Sequence, residues 1–195
     1  IEIINTELIL SDLSIVEKLY QKAQKNTKSG KKEGMPMKEL VEKILTALKE
    51  GTSLRKLTFG KEELVLLKNF QLLTLKPVLY VANVNENGFE NNPHLDLILK
   101  YAKEDHSKVV PICAEIEAEI CELSNDEKKE FLLEIGQCES GLDRLIKSGY
   151  DLLGLQTYFT AGEKEVKAWT INVGDSAPVA AGKNQTDFEL SLIHI

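Results

Sequence analysis

At 195 residues and 43% hydrophobic, the chain can bury a real core and has room for one large or two small domains. A net charge of −7 and a pI near 5.2 exclude a protein that coats nucleic acid non-specifically, because neutralising phosphates takes a basic surface. Cys113, Cys121 and Cys138 form no CxxC pair, which suits reduced cytosolic thiols; His94, His106 and His194 lack metal-ligand spacing, and no apolar stretch reaches the ~18 residues of a membrane span.

In chain order, Leu8, Ile15, Val16, Leu19 and Ala23 recur at helical intervals and predict a helix over residues 5–24. The first residue, Ile1, already sits inside an apolar pattern, so an upstream portion is expected. Leu40, Val41, Ile44, Leu45 and Leu48 predict a second helix that stops at Gly51, the two forming an antiparallel pair. Ser29, Gly30 and Gly34 lie in the connection, bordered by Lys22, Lys25, Lys28, Lys31, Lys32 and Lys38. Such a basic tip either docks on RNA phosphates or is simply solvated.

Residues 61–70 predict a short helix, and 78–84 a strand buried on both faces. Asn92-Pro93 suits a helix start, followed by the stripe Leu95, Ile98, Leu99 and Ala102, and residues 109–113 predict a second strand. Strand, helix and strand in this order make a βαβ unit with a parallel sheet, whose ligands sit beyond the carboxyl ends of the strands. Asn83, Glu86, Cys113 and Glu115 fall there. In Asn83-Val84-Asn85-Glu86 the carboxylate can accept hydrogen bonds from a purine edge while Asn83 braces the loop; alternatively these are ordinary turn residues.

Ser124 and Glu127 form a capping box opening a helix to about Ile135, and a further amphipathic helix runs over 141–153, ending at Gly154. Glu115, Glu117 and Glu119 read either as an acidic catalytic cluster or as a solvated helix face. Beyond Leu155 the pattern turns β-like through Val166, Ala168, Thr170 and Val173, with Gly162, Gly174, Pro178 and Gly182 punctuating turns.

Longer motifs accompany these signals: INTELILSDL at 4–13, LLTLKPVLYVANVNENGFENNP at 72–93, VPICAEIEAEI at 110–120, GYDLLGLQTYFTAGEKEVKAWTI at 149–171 and AAGKNQTDFE at 180–189. In their order and spacing the chain resembles the YchF or Obg-like ATPase family, a branch of the translation-factor-related P-loop GTPases. The resemblance implies an α/β fold: part of a P-loop NTPase parallel sheet, with an α-helical coiled-coil insertion and a partial β-grasp (TGS) domain. It implies the insertion over 1–70, the second half of the nucleotide-binding domain over 71–154 and the partial TGS domain over 155–189. The tail 190–195 departs from the family and looks like a non-native scar.

The resemblance further implies a cytoplasmic ATPase, with GTP possible. The base would be read by Asn83, Val84 and Glu86 and flanked by Cys113 and Ala114, in place of the Asn-Lys-x-Asp of guanine readers. Cys113 is then either thiol-sensitive or simply a buried strand-end cysteine. The phosphate-cradling GxxxxGK[ST] loop, and with it Mg²⁺ binding, would precede Ile1, so this stretch by itself is expected to be inactive and to supply no catalytic or metal-binding residue. Implied partners are the large ribosomal subunit or RNA, met by the helical hairpin and the TGS segment, with no membrane or DNA. A non-hydrolytic ribosome-binding or RNA-binding module, tuned by nucleotide, is the alternative.

Overall fold

The computed structural model describes residues 1–28, 34–162 and 165–184. Ser29, Gly30, Lys31 and Lys32 of the basic tip lie outside the described residues, as do residues 185–189 of the 180–189 motif and the 190–195 tail. The chain divides into two compact units, one built from Ile1–Pro77 with Glu104–His106, the other from Val78–Lys103 with the residues from Ser107 onward.

The first unit is helical. Helices α1 (Glu2–Lys28) and α2 (Gly34–Lys49) pack along each other, followed by a 3-10 turn at Leu54–Lys56, helix α3 (Lys61–Lys68) and a second 3-10 turn at Leu73–Leu75. On α1 the buried positions are Ile9, Asp12, Val16 and Ala23, spaced by three, four and seven, which is one helical seam. Ile15, expected on that seam, is 37% exposed and Leu8 is only half-buried, because the seam instead runs through Asp12. Ile9 and Val16 meet Leu40, Val41, Ile44, Leu45 and Leu48 of α2, with Leu54, Leu67 and Leu72 closing the core. Each fully buried aliphatic of this kind contributes about 1.5–3 kcal/mol against leaving it in water. Gly51 ends α2 as expected, with φ +75°; its N–H donates to Leu48 O and that of Thr52 to Ala47 O, a Schellman pair.

The second unit is α/β. Strand β1 (Leu79–Asn83) pairs in parallel with β2 (Lys108–Ile112), Leu79 opposite Lys108 and Asn83 opposite Ile112, and helix α4 (Pro93–Glu104) connects them. The βαβ reading therefore holds, but the strand is not buried on both faces. Val81 is 46% exposed, because β1 pairs only with β2 among the described residues and one face of this two-stranded sheet stays open.

Helices α5 (Ala114–Glu122), α6 (Asn125–Glu134) and α7 (Gly141–Leu153) follow, with a core of Cys113, Ile116, Ile120 and Leu132 against Phe89 and Phe131. At α6 the Glu127 carboxylate accepts from the Ser124 N–H (2.9 Å) and also from its hydroxyl (2.6 Å), so the box forms with the serine donating. Gly154, at φ 62°, ends α7 and releases the chain into β3 (Leu155–Ala161), antiparallel to β4 (Val166–Asn172). Helix α8 (Ala177–Asn184) closes the described chain and is tied to β3 where the Tyr158 hydroxyl donates to Ala180 O at 2.7 Å. Pro178 and Gly182, expected as turn residues, lie within α8. Pro178 is in its first turn, where a missing N–H leaves no hydrogen bond unmade.

Candidate nucleotide-base site

The parallel pairing of β1 and β2 sends both strands out at one end of the sheet, and the expected site residues follow from that register. Asn83 is the last residue of β1 and Cys113 the first after β2. The Asn83 Oδ1 accepts from the Ala114 N–H at 3.1 Å, joining the two strand-end loops directly. This bond uses the Ala114 N–H within the protein, so Ala114 can flank a base but does not offer it this donor. Val84 N–H donates to Ile112 O at 2.8 Å, which carries the ladder one residue past β1 and holds the half-buried Val84 in register. Cys113 is 2% exposed and occupies the N-cap of α5, in the core rather than on a surface.

After Val84 the chain turns sharply. Gly88 N–H donates to Asn85 O at 2.9 Å, closing a four-residue turn that carries Glu86 and Asn87 outward. A Cβ on Gly88 would lie 2.5 Å from Asn85 Oδ1, 3.1 Å from Val84 Cβ and 3.2 Å from Asn85 O, so the turn is built around a glycine. Glu86 is exposed, and its carboxylate makes no hydrogen bond or ion pair among the described residues. It stands on the rim of a cleft of about 880 Å³ that Phe89, Glu119, Phe131 and Arg144 also line. Asn83, Val84, Cys113 and Ala114 do not line that cleft, so the expected residues fall into a joined pair of strand ends and a separate, outward-facing Glu86.

Several residues at this end of the sheet were not anticipated. Arg144 donates from Nη1 to Gln137 Oε1 (2.9 Å) and from Nη2 to Pro111 O (3.3 Å), with its guanidinium 5.9 Å from the Phe89 ring centroid. Arg55 and Arg144 are the chain's two arginines, and that scarcity was the available signal. Glu117 corrects the solvated-face reading: its carboxylate accepts from the N–H groups of Gly141 (2.6 Å) and Leu142 (3.1 Å), capping the first turn of α7. A Cβ on Gly141 would come within 2.8 Å of Glu117 Oε1 and 3.0 Å of Ile112 Cγ2, so a side chain there would have to displace the capping carboxylate. Asn92, expected only to start a helix, reaches back to the turn as well, donating from Nδ2 to Gly88 O at 3.0 Å. Among the described residues no group of three or more His, Cys, Asp or Glu side chains could hold a metal ion.

With this geometry in place, the chain can be set beside known proteins. It is 51% identical over 193 residues to the ribosome-binding ATPase YchF of Haemophilus influenzae, an overlap of 99% of this chain and 53% of that one. Over its own length the chain resembles the YchF proteins. It is also 45% identical over 196 residues to the ribosome-binding ATPase YchF of Bacillus subtilis, covering 99% of this chain and 54% of the relative. The solved structure of the Schizosaccharomyces pombe YchF GTPase matches with a TM-score of 0.86 at 33% identity, over 97% of this chain and 52% of that one. The YchF-GTPase_C family model, described as a protein of unknown function (DUF933), matches residues 155–195. The chain therefore spans about half the length of the curated relatives it matches.

Proposed function

We propose that this chain is part of a ribosome-associated NTPase in which residues 83–86 read the purine base of ATP, with GTP as a weaker substrate. The observation that carries the reading is the Asn83 to Ala114 hydrogen bond, which fixes one strand-end loop against the other and leaves the Glu86 carboxylate exposed beyond them. In this reading Glu86 accepts hydrogen bonds from the base edge, Val84 packs on the ring face where a guanine reader carries a lysine stem, and Ala114 with the backbone of Cys113 forms the facing wall. A glutamate reaches about one methylene further than an aspartate, and adenine lacks the paired donors that reward the carboxylate in guanine, so guanine preference weakens.

We assign residues 1–70 to a helical insertion, 71–154 to the second half of the nucleotide-binding domain and 155–189 to a partial TGS domain. Phosphate and magnesium contacts, and hence hydrolysis, are assigned to the part of the protein outside these 195 residues, so this stretch alone is expected to be inactive. The proposed partner is the large ribosomal subunit or its RNA, and the proposed location the cytoplasm. The relatives named ribosome-binding ATPases support both, and among the described residues no helix is long and apolar enough to cross a membrane.

The test is ATP and GTP hydrolysis by the full-length protein, wild type beside the Val84→Lys/Glu86→Asp double variant. The expected result is an ATP preference that moves towards GTP by about tenfold or more in kcat/KM. An unchanged preference removes base reading from this loop, and a full-length protein that hydrolyses neither nucleotide removes the NTPase reading.

A further inference from the structure

Asn92 uses both ends of its carboxamide. Its Oδ1 accepts from the N–H groups of His94 (3.1 Å) and Leu95 (3.3 Å), capping α4, while its Nδ2 donates to Gly88 O (3.0 Å). Gly88 closes the turn that carries Glu86, and there is no room at Gly88 for a side chain without moving Val84 or Asn85. Asn91 supplies the left-handed step, φ 52°, that lets Asn92 face back along the chain. The turn is thus held at both ends: at its start by the bond from Val84 to Ile112, at its finish by Asn92 on a helix end.

We propose that Asn92 is a positioning residue for base selection: by tethering Gly88 to the first turn of α4, it fixes where the Glu86 carboxylate stands and so which purine edge that carboxylate can meet. The inference rests on the base-reading role proposed above for Glu86. A carboxylate on a free turn would follow either base; on a tethered turn it rewards only the base whose donors come to it. The amide is the side chain that fits, because the cap needs an acceptor and the tether needs a donor.

That division supplies the experiment. Asn92→Asp keeps an oxygen for the cap and loses the donor to Gly88, Asn92→Ser keeps the oxygen but shortens the side chain that reaches Gly88 O, whereas Gly88→Ala strains the same turn without touching the cap. ATP and GTP affinities of the full-length protein are measured for these three variants, with thermal melting alongside and Glu86→Gln as reference. The affinity ratio is a readout that a purely structural cap would not move.

The expected outcome is melting within about 2 °C of wild type for Asn92→Asp and Asn92→Ser. Their ATP-to-GTP affinity ratio should change by about threefold or more towards the Glu86→Gln value, and Gly88→Ala should change it in the same direction. If Glu86→Gln alters the ratio and none of the three variants does, the Asn92 role is overturned while base reading stands. If Glu86→Gln leaves the wild-type ratio unchanged, base reading fails and the Asn92 role fails with it. Should the Asn92 variants unfold, Gly88→Ala decides alone.

Discussion

Asp12 is fully buried in α1, and all of its visible partners come from the 3-10 turn some sixty residues later. Leu73 N–H donates to its Oδ1 at 2.8 Å, while the N–H (2.7 Å) and hydroxyl (2.6 Å) of Thr74 donate to Oδ2. Three donors to one carboxylate are strong enough to hold a charge out of water, since hydrogen bonds to an ionised acceptor are about twice as strong as neutral ones. Asp12→Ala strands those donors in a dry site and is expected to cost about 2–4 kcal/mol of stability, measured by urea unfolding of the full-length protein. A loss below about 0.5 kcal/mol would mean that the carboxylate is dispensable. Arg55 and Asp105 form a buried ion pair in the same unit, with Arg55 Nε 3.4 Å from the Asp105 carboxylate, both almost fully buried, and Arg55 Nη2 donating to Asn5 Oδ1 at 3.2 Å. The Asp12 partnership was hidden in the sequence because a lone aspartate inside an apolar stripe reads as an interruption, and its donors are backbone groups that any residue carries.

Among the elements, α7 has the most elaborate start. Glu117 caps two of its free N–H groups, Ser140 Oγ accepts from the Asp143 N–H (3.1 Å), and the same hydroxyl donates to Asp143 Oδ2 (2.7 Å). The bond from Ser140 holds the Asp143 carboxyl below its ordinary range, with Lys128 and Lys147 adding to the effect and partial burial opposing it. A carboxyl depressed in the folded state contributes stability above its unfolded pKa, and that contribution is lost as pH falls through the folded value. The window therefore lies below about pH 4. Asp143→Asn is expected to flatten the acid limb of the stability curve and leave its slope above about pH 5 unchanged, as read by denaturant titration at several pH values. An acid limb identical in variant and wild type would contradict the assignment.

Element ends were the most legible part of this chain. Gly51 and Gly154 stop helices where only glycine takes a left-handed step cheaply, and Ser124 with Glu127 opens one, because each is a local event written in two to four residues. Pro178 and Gly182 misled for the same reason: they are punctuation in most contexts, yet an early Pro and a late Gly are also tolerated inside a short helix. Glu117 escaped because its two partners lie 24 and 25 residues ahead, and no spacing rule reaches that far.

At the scale of the molecule, an acidic chain of net charge −7 carries a local run of lysines between its first two helices. If those lysines meet ribosomal RNA, neutralising Lys28, Lys31 and Lys32 together should weaken ribosome binding by the full-length protein. It should also lower the salt dependence of binding by about two to three units of slope on a double-logarithmic plot. Binding that keeps both its strength and its slope would assign the contact to another surface, leaving the lysines as a solvated tip.

The sequence by itself determined most of the helices, the βαβ order, the resemblance to YchF proteins and the strand-end position of Asn83 and Glu86, because periodicity, capping residues and long ordered motifs are local or nearly so. Only the tertiary structure decided that Asn83 clasps Ala114, that Asn92 tethers the Glu86 turn, that Glu117 caps α7 and that Asp12 is a buried acceptor. In the first, third and fourth of these the partner lies 24 to 62 residues away and offers a backbone N–H, a group present at every position but proline. The chain's letters cannot distinguish one such donor from another; folding selects it by bringing it within 3 Å or so of the one side chain with an acceptor to spare.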